Sequence, residues 1–239
     1  MEPIREQLYE IFNSPAICSS IVEYAFDKSD VIINNTYIDN INNIRNFDYH
    51  FGYSQHNVHV TSIEFITPTE ITTDMLDNFI VCTTWINIII NTPVQFTRSL
   101  KKIHATIGPD LTSTASMFSG CNNNFENNMR YWDMSRITRM SSMFANAIEF
   151  NGEIGDWDVS NVVYMDSMFY NAKKFNRHLN WDVSSVRTMF NMFGGAHSFE
   201  GSGVPEWDVK CSTNKVFMFY RTDSLISWGG WITMRPNAY

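Results

Sequence analysis

The chain has 239 residues, of which 44% are hydrophobic and 18% charged, and its net charge at pH 7 is −8. This length allows one elongated domain or a small N-terminal domain followed by a second unit, and either can bury a core. Because Lys and Arg are few, the chain lacks the clustered positive charge that binding to nucleic-acid phosphates requires. Nucleic acid is therefore not an expected partner.

The chain carries no predicted export signal or membrane span. Met1 is followed by Glu2 and Pro3 rather than by a basic patch and an apolar run. The longest apolar stretch, 79–90, is shorter than the roughly 20 residues that cross a bilayer. The four cysteines form no C-x-x-C pair, which argues against a zinc site or a disulfide framework. We expect a cytoplasmic or virion-associated protein.

Residues 1–110 show no regular repeat, and we predict that they form an N-terminal helical or mixed capping region. The apolar spacing predicts two short amphipathic helices between Ile4 and Ala25. Alternation predicts a strand over 57–66, and 73–90 should begin as helix and end extended. The apolar residues of 96–107 are typical of a degenerate repeat turn that leads into the second half of the chain.

From Leu111 to Met234 the chain repeats about every 25 residues. The Trp anchors are separated by 25, 24 and 26 residues, and each repeat also carries a Met-Phe pair. A fixed period of this length is typical of units that cannot bury their apolar faces alone and do so against their neighbours. The repeat therefore predicts a solenoid.

One unit, 157–175, has apolar residues at offsets of three and four, which predicts a helix of about three turns. Ser160 is placed as its N-cap, as are Ser135 and Ser184 in the neighbouring units. The stretch from Phe175 to Val183 should then be a short strand. A strand and a helix in each unit predict an α/β repeat solenoid over 111–239: a leucine-rich-repeat-like coil of short parallel strands and short helices, ending in a C-terminal cap.

The conspicuous residues of the repeat are expected to be structural anchors rather than catalytic, cofactor-binding or metal-binding groups. The Asp after each Trp should bind backbone N–H groups at the following helix start, although a calcium ladder is an alternative. Cys121, at a position filled elsewhere by Ala, should be a small buried filler. The predicted anchors are Trp132, Trp157, Trp181, Trp207, Met143, Phe144, Met168, Phe169, Met192, Phe193, Asp133, Asp158, Asp182 and Asp208.

The segment WDVSNVVYMDSMFYNAKKFN, from Trp157 to Asn176, resembles the repeat of the BspA-like family of leucine-rich-repeat surface proteins. The resemblance covers roughly half of the chain and weakens at both ends, since the Val and Met positions after Trp207 become Ser212 and Lys215. It implies a right-handed coil used for adhesion or protein–protein contact. Such repeats occur in bacterial surface proteins and are also expanded in some protists and large DNA viruses.

These features favour a non-enzymatic scaffold for protein–protein interaction, which binds a protein partner or self-assembles and uses no cofactor or small-molecule substrate. His50, His56 and His59 lie close in sequence, but an i, i+3 pair in a strand points to opposite faces, so we do not expect a metal site. One alternative is a structural component of a viral particle or lattice. Another is an adaptor, since the opening faintly resembles an F-box, although the signature Leu-Pro start is missing.

Overall fold

The computed structural model describes residues 31–33, 62–78, 82–122 and 125–225. The helices predicted between Ile4 and Ala25, the three neighbouring histidines and the last repeat turn after Leu225 lie outside the described residues.

The N-terminal part of the described chain contributes four strands to a five-stranded parallel sheet. Strand order follows chain order from β1 to β5, and each strand pairs with the next. The helix α1 follows β2, and β3 is extended over the region for which the sequence predicts extended chain. The elements are β1 (Val31–Ile33), β2 (Ser62–Ile71), α1 (Thr73–Asn78), β3 (Thr84–Ile90), β4 (Lys102–Ile107) and β5 (Glu126–Asn127).

The sheet passes without a break into the repeats. Phe96 stacks on Phe118 with ring centroids 5.4 Å apart, and β4 pairs with β5 beyond the 110/111 boundary. The buried side chains from Ile71 to Met218 form one hydrophobic cluster. The two predicted regions therefore share a core among the described residues.

Beyond Leu111, equivalent residues of successive repeats lie side by side. Single parallel bridges join the chain at intervals of 24 to 26 residues, and they link Ser113 to Arg139, Arg139 to Tyr164, Tyr164 to Thr188 and Thr188 to Asn214. They are isolated bridges rather than strands. They also lie in the part of each repeat for which we predict helix.

The predicted helix of each repeat is wrong. Between residues 111 and 225 the described helices are two short 3₁₀ segments, Met129–Tyr131 and Val204–Glu206. The residues with helical apolar spacing form turns instead, at 115–120, 141–146, 166–171, 190–195 and 216–221. These five segments are called the turn strip below.

Alternating hydrogen bonds explain why the turn strip replaces a helix. Every second amide donates to a carbonyl three residues back, as Met168 does to Met165 at 3.3 Å. The amides in between donate to the next repeat, as Phe169 does to Met192 at 2.8 Å. A helix would use all of these amides internally, whereas this arrangement satisfies them and also joins neighbouring repeats.

The predicted strand before each Trp is also largely absent. Residues 175–183 have no regular secondary structure, and the same interval contains the 3₁₀ turn Val204–Glu206 in the following repeat. The interval before Trp132 is the exception, because it contains β5. Backbone bonds between repeats occur both in the turn strip and outside it, as from Leu179 to Ser202 at 3.0 Å.

Rows of aromatic rings fill the interior of the repeats. The indoles of successive Trp anchors stack nearly parallel, with centroids 6.0 to 6.5 Å apart. In the row from Phe118 to Phe193, the Phe of each Met-Phe pair stacks on the equivalent ring of the next repeat. The centroids of neighbouring rings lie 5.4 to 5.7 Å apart. Since each ring packs between copies of itself, the burial of one repeat depends on its neighbours.

Candidate functional site

The four predicted Trp anchors are buried, and each joins two repeats with a hydrogen bond. The indole Nε1 of Trp157 donates to the carbonyl of Met129 at 2.7 Å, and that of Trp181 donates to the carbonyl of Ile154 at 3.1 Å. Trp132 and Trp207 make the same bond to Ala105 and Leu179. The bond satisfies the only polar atom of each indole inside an apolar stack.

The predicted Met-Phe anchors line the same interior. All six are fully buried, and they are Met143, Phe144, Met168, Phe169, Met192 and Phe193. None of them is available to a partner at the surface.

The Asp residues after the Trp anchors are exposed and form local turns. Asp133 Oδ1 accepts hydrogen bonds from the Ser135 N–H at 3.1 Å and from its hydroxyl at 2.6 Å. Asp158 is bound to Ser160 in the same way, and Asp182 accepts from the Ser184 N–H at 2.9 Å. The prediction that Ser is a helix N-cap is therefore wrong, because the Asp accepts and the serine donates.

These hydrogen bonds affect the acidity of two of the carboxyl groups. The Ser135 hydroxyl and N–H, with Arg136 at 3.2 Å, hold the pKa of Asp133 below its usual range. The Ser184 N–H and hydroxyl, with the charge of Lys210, lower the pKa of Asp182. Asp208 has Lys210 where the other repeats have the serine, so this turn is altered in the last repeat.

Cys121 is buried and occupies the position that Ala fills in later repeats. Its Sγ donates to the carbonyl of Thr97 at 3.2 Å, and burial raises the pKa of the thiol to about 12. A thiol of this pKa is protonated at neutral pH and is a poor nucleophile.

The most distinctive surface feature is a set of exposed apolar side chains in the last two described repeats. Phe190, Val216, Phe217 and Tyr220 are between 38% and 53% exposed, and we call them the aromatic patch. Phe217 lies edge-on to Phe190 and to Tyr220, with both pairs of centroids 5.8 Å apart. The four side chains expose on the order of 300 Å², which is the size of the largest apolar patches on ordinary monomers.

The patch is a departure from the repeat rather than part of it. At the position of Phe190 and Val216 the earlier repeats have Ala115, Ser141 and Asp166. At the position of Phe217 they have Ser116, Ser142, Ser167 and Asn191, and at the position of Tyr220 they have Ser119, Ala145, Tyr170 and Gly194. The patch was not predicted from the sequence, because the regular spacing of the buried apolar rows does not mark it. The signal for it is the appearance of Phe190, Phe217 and Tyr220 at positions where most earlier repeats have small or polar residues.

Phe217 has a backbone conformation that disfavours a large side chain. Its φ is 58°, in the left-handed region, and the equivalent residues Ser116, Ser142, Ser167 and Asn191 have φ between 54° and 60°. Asn tolerates this region, whereas a bulky residue there is uncommon and strained by about 1 kcal/mol or more. The fold therefore holds an exposed aromatic ring at a position where a small polar residue fits better.

Charged groups directly follow the aromatic patch in the chain. The guanidinium of Arg221 lies 5.2 Å from the centroid of the Tyr220 ring. Asp223, two residues further on, binds His197 Nδ1 through Oδ2 at 2.6 Å. The patch thus combines aromatic rings and an arginine, the residues most enriched at protein interfaces, and an acidic residue lies two positions further along the chain.

Comparison with protein families identifies a match over the repeats. Residues 112–228, close to half of the chain, match a family model described as a Mycoplasma protein of unknown function, DUF285. This match is consistent with the BspA-like resemblance of the repeat. No curated protein and no solved structure matches the chain significantly.

The described residues include no group of three or more His, Cys, Asp or Glu side chains that could hold a metal ion. No helix among them is long and apolar enough to cross a membrane.

Proposed function

We propose that the chain is a non-enzymatic protein–protein interaction module, built on a leucine-rich-repeat-like solenoid of the BspA-like kind, and that the aromatic patch is its contact site. The observation that carries the proposal is the cluster of exposed apolar residues at three positions of the last two described repeats, where most earlier repeats have small or polar residues. Aromatic side chains with an adjacent arginine contribute most of the binding energy in many interfaces.

The solenoid part of the proposal rests on the contacts between repeats. Parallel bridges, stacked rings and Trp Nε1 bonds all join residues one period apart. The DUF285 match, which covers the repeats, supports the BspA-like assignment.

The non-enzymatic part rests on what the polar residues of the repeats do. The Asp and Ser side chains bind each other in local turns, and Asp166 accepts bonds from Thr188 Oγ1 and from the Phe190 N–H. The carboxylates and hydroxyls that could serve as catalytic groups therefore make hydrogen bonds that stabilise local turns. The lattice-component and F-box-like alternatives stay predictions, and the second concerns residues 1–26, outside the described residues.

Crosslinking in the native host tests the interaction proposal. The tagged chain is crosslinked and its partners are quantified by mass spectrometry, beside the double variant Phe190→Ser/Tyr220→Ala, which restores residues found at these positions in other repeats. We expect the variant to lose a saturable protein partner. Tyr131→Ser is the matched control, because Tyr131 is also an exposed aromatic residue, at 82%, but belongs to an earlier repeat than the patch.

The outcomes separate the candidate functions. Loss of a partner from the double variant but not from the control supports the patch as contact site. Identical partners for all three chains would contradict it. Recovery in fixed ratio with an abundant shell protein would favour the lattice component instead.

A further inference from the structure

We infer that the occupant of the aromatic patch is a second copy of this chain, bound across a two-fold axis that passes near Phe217. The inference rests on the proposed function, because it uses the same patch, and it names the partner. It predicts a weak homodimer.

The shape of the patch suits pairing with itself. Phe217 stands at 78° to the Phe190 ring and at 69° to the Tyr220 ring, so ring edges and ring faces lie next to each other on one surface. A two-fold axis brings the edges of one copy onto the faces of the other, which is the favoured geometry for aromatic pairs. No second surface of different composition is needed.

The charges beside the patch are also self-complementary. Arg221 makes no ion pair with any described residue, and its guanidinium lies over Tyr220 at the rim of the patch. Asp223 has the opposite charge, and its side chain is 71% exposed even though it binds His197. In a two-fold pair, Arg221 of each copy can face Asp223 of the other, so that two attractive contacts flank the rings.

The size of the patch sets the expected affinity. Its apolar area, on the order of 300 Å², is well below the roughly 800 Å² that each partner buries in an interface of standard size. The charged rim and Tyr170 enlarge the footprint without reaching that value. We therefore expect a dimer that forms at micromolar concentration rather than an obligate one.

A substitution at Phe217 can distinguish a contribution to folding from a contribution to dimerisation. The serines of earlier repeats have the same left-handed backbone, with φ of 54° to 60°, so replacing Phe217 by serine keeps the backbone conformation and removes an exposed ring. Phe217→Ser should retain the fold, with a modest loss of stability from the contacts to Phe190 and Tyr220, and dimerise less.

Sedimentation of the purified full chain over a range of concentrations tests the inference. We expect reversible dimerisation, a dissociation constant raised at least tenfold by Phe217→Ser, and no change with the control Tyr131→Ser. Urea unfolding of each variant, measured alongside, shows whether the fold is retained. A native chain that stays monomeric at several hundred micromolar, or a Phe217→Ser variant that dimerises as well as the native chain, would overturn the inference.

A charge exchange tests the two-fold arrangement directly. Arg221→Asp and Asp223→Arg should each abolish the homodimer, since like charges then face each other. Mixing the two variants should restore association, because each altered residue then faces an opposite charge. Failure of the mixture to associate, with both variants folded, contradicts the proposed geometry.

Failure of this inference is distinguishable from failure of the proposed function. If the native chain is monomeric but still crosslinks to a different protein through the patch, only the identity of the partner is wrong. If crosslinking is also unaffected by the patch variants, the patch is not a contact site.

Discussion

Single residues in the repeats combine packing with one polar contact, and Trp157 is the clearest case. Its ring stacks between those of Trp132 and Trp181, and its Nε1 donates to the Met129 carbonyl at 2.7 Å. The two contributions can be measured separately, because Phe retains much of the ring and lacks the donor.

We expect Trp157→Ala to lower the free energy of unfolding by about 3–5 kcal/mol through the cavity it leaves. Trp157→Phe should lower it by about 0.5–1.5 kcal/mol for the lost hydrogen bond, because the Met129 carbonyl still accepts from the Trp132 N–H at 3.0 Å. Urea unfolding measures both. Tyr131→Ala is the control and should change the free energy by less than about 0.5 kcal/mol, since its side chain is exposed. Equal losses for Phe and Ala would mean that the indole N–H, rather than the packing, dominates.

The Asp–Ser turns give the protein a predictable dependence on acid. The folded-state pKa values of Asp133 and Asp182 lie below their usual range, so these carboxylates stabilise the fold above their unfolded-state pKa. That contribution is lost as pH falls through the folded-state values. The free energy of unfolding should therefore decrease below about pH 4.

The double variant Asp133→Asn/Asp182→Asn tests this origin. Asn still accepts a hydrogen bond from the following serine but does not titrate in this range. We expect a flatter dependence of stability on pH than in the native chain, measured by urea unfolding between pH 3 and pH 7. An unchanged slope would assign the acid sensitivity to other carboxyl groups.

At the scale of the element, the turn strip is where sequence reasoning gave the wrong secondary structure. Apolar residues at offsets of three and four fit an α-helix, and they fit equally well a chain that turns tightly every three residues. The polar residues between the apolar ones distinguish the tightly turning chain from an α-helix. Ser167 and Asn171 both have φ above 50°, and two left-handed residues four apart cannot belong to one helix. Ser, Asn or Gly recurs at both positions in most repeats.

The left-handed positions should be intolerant of β-branched residues. Ser167→Val places a branched side chain at φ 54° and should lower the free energy of unfolding by about 1–2 kcal/mol. Lys173→Val is the control, since Lys173 is exposed and has no left-handed backbone. Urea unfolding of the two variants provides the comparison. Equal stability would show that the backbone there relaxes to an ordinary conformation.

The sequence correctly predicts which large apolar side chains of the repeat are buried. The Trp and Met-Phe rows are interior, because large apolar side chains at a fixed period have no other place to be buried. The aromatic patch was not predicted. Exposed Phe and Tyr lie one or two residues from buried ones, and periodicity alone does not distinguish them.

For the whole molecule, stacking predicts that the number of repeats is adjustable. Deleting residues 158–181 joins Trp157 to Asp182 and leaves every remaining residue in its place in the period. We expect this shortened chain to fold, with a smaller urea m-value because less surface is exposed on unfolding. Circular dichroism and urea unfolding test it.

Deletion of 158–169, half a repeat, is the matched control and should not fold. It places Tyr170 directly after Trp157 and moves the buried rows out of line with their neighbours. If both deletions fold equally well, stacking in register is not what stabilises the repeats.

The alternate amides of the turn strip all point the same way. Phe118, Phe144, Phe169 and Phe193 each donate to the repeat that follows, at 2.8 to 2.9 Å, and none of these four donates to the repeat before. Aligned peptide groups add their dipoles, as they do along a helix. The strip should therefore have an electrical polarity, with partial positive charge towards its C-terminal end and partial negative charge towards its N-terminal end. Several amides outside the strip point the opposite way, as Val163 does to Thr138 and Asn214 to Arg187, both at 2.9 Å, so this polarity belongs to the strip and not to the stack as a whole.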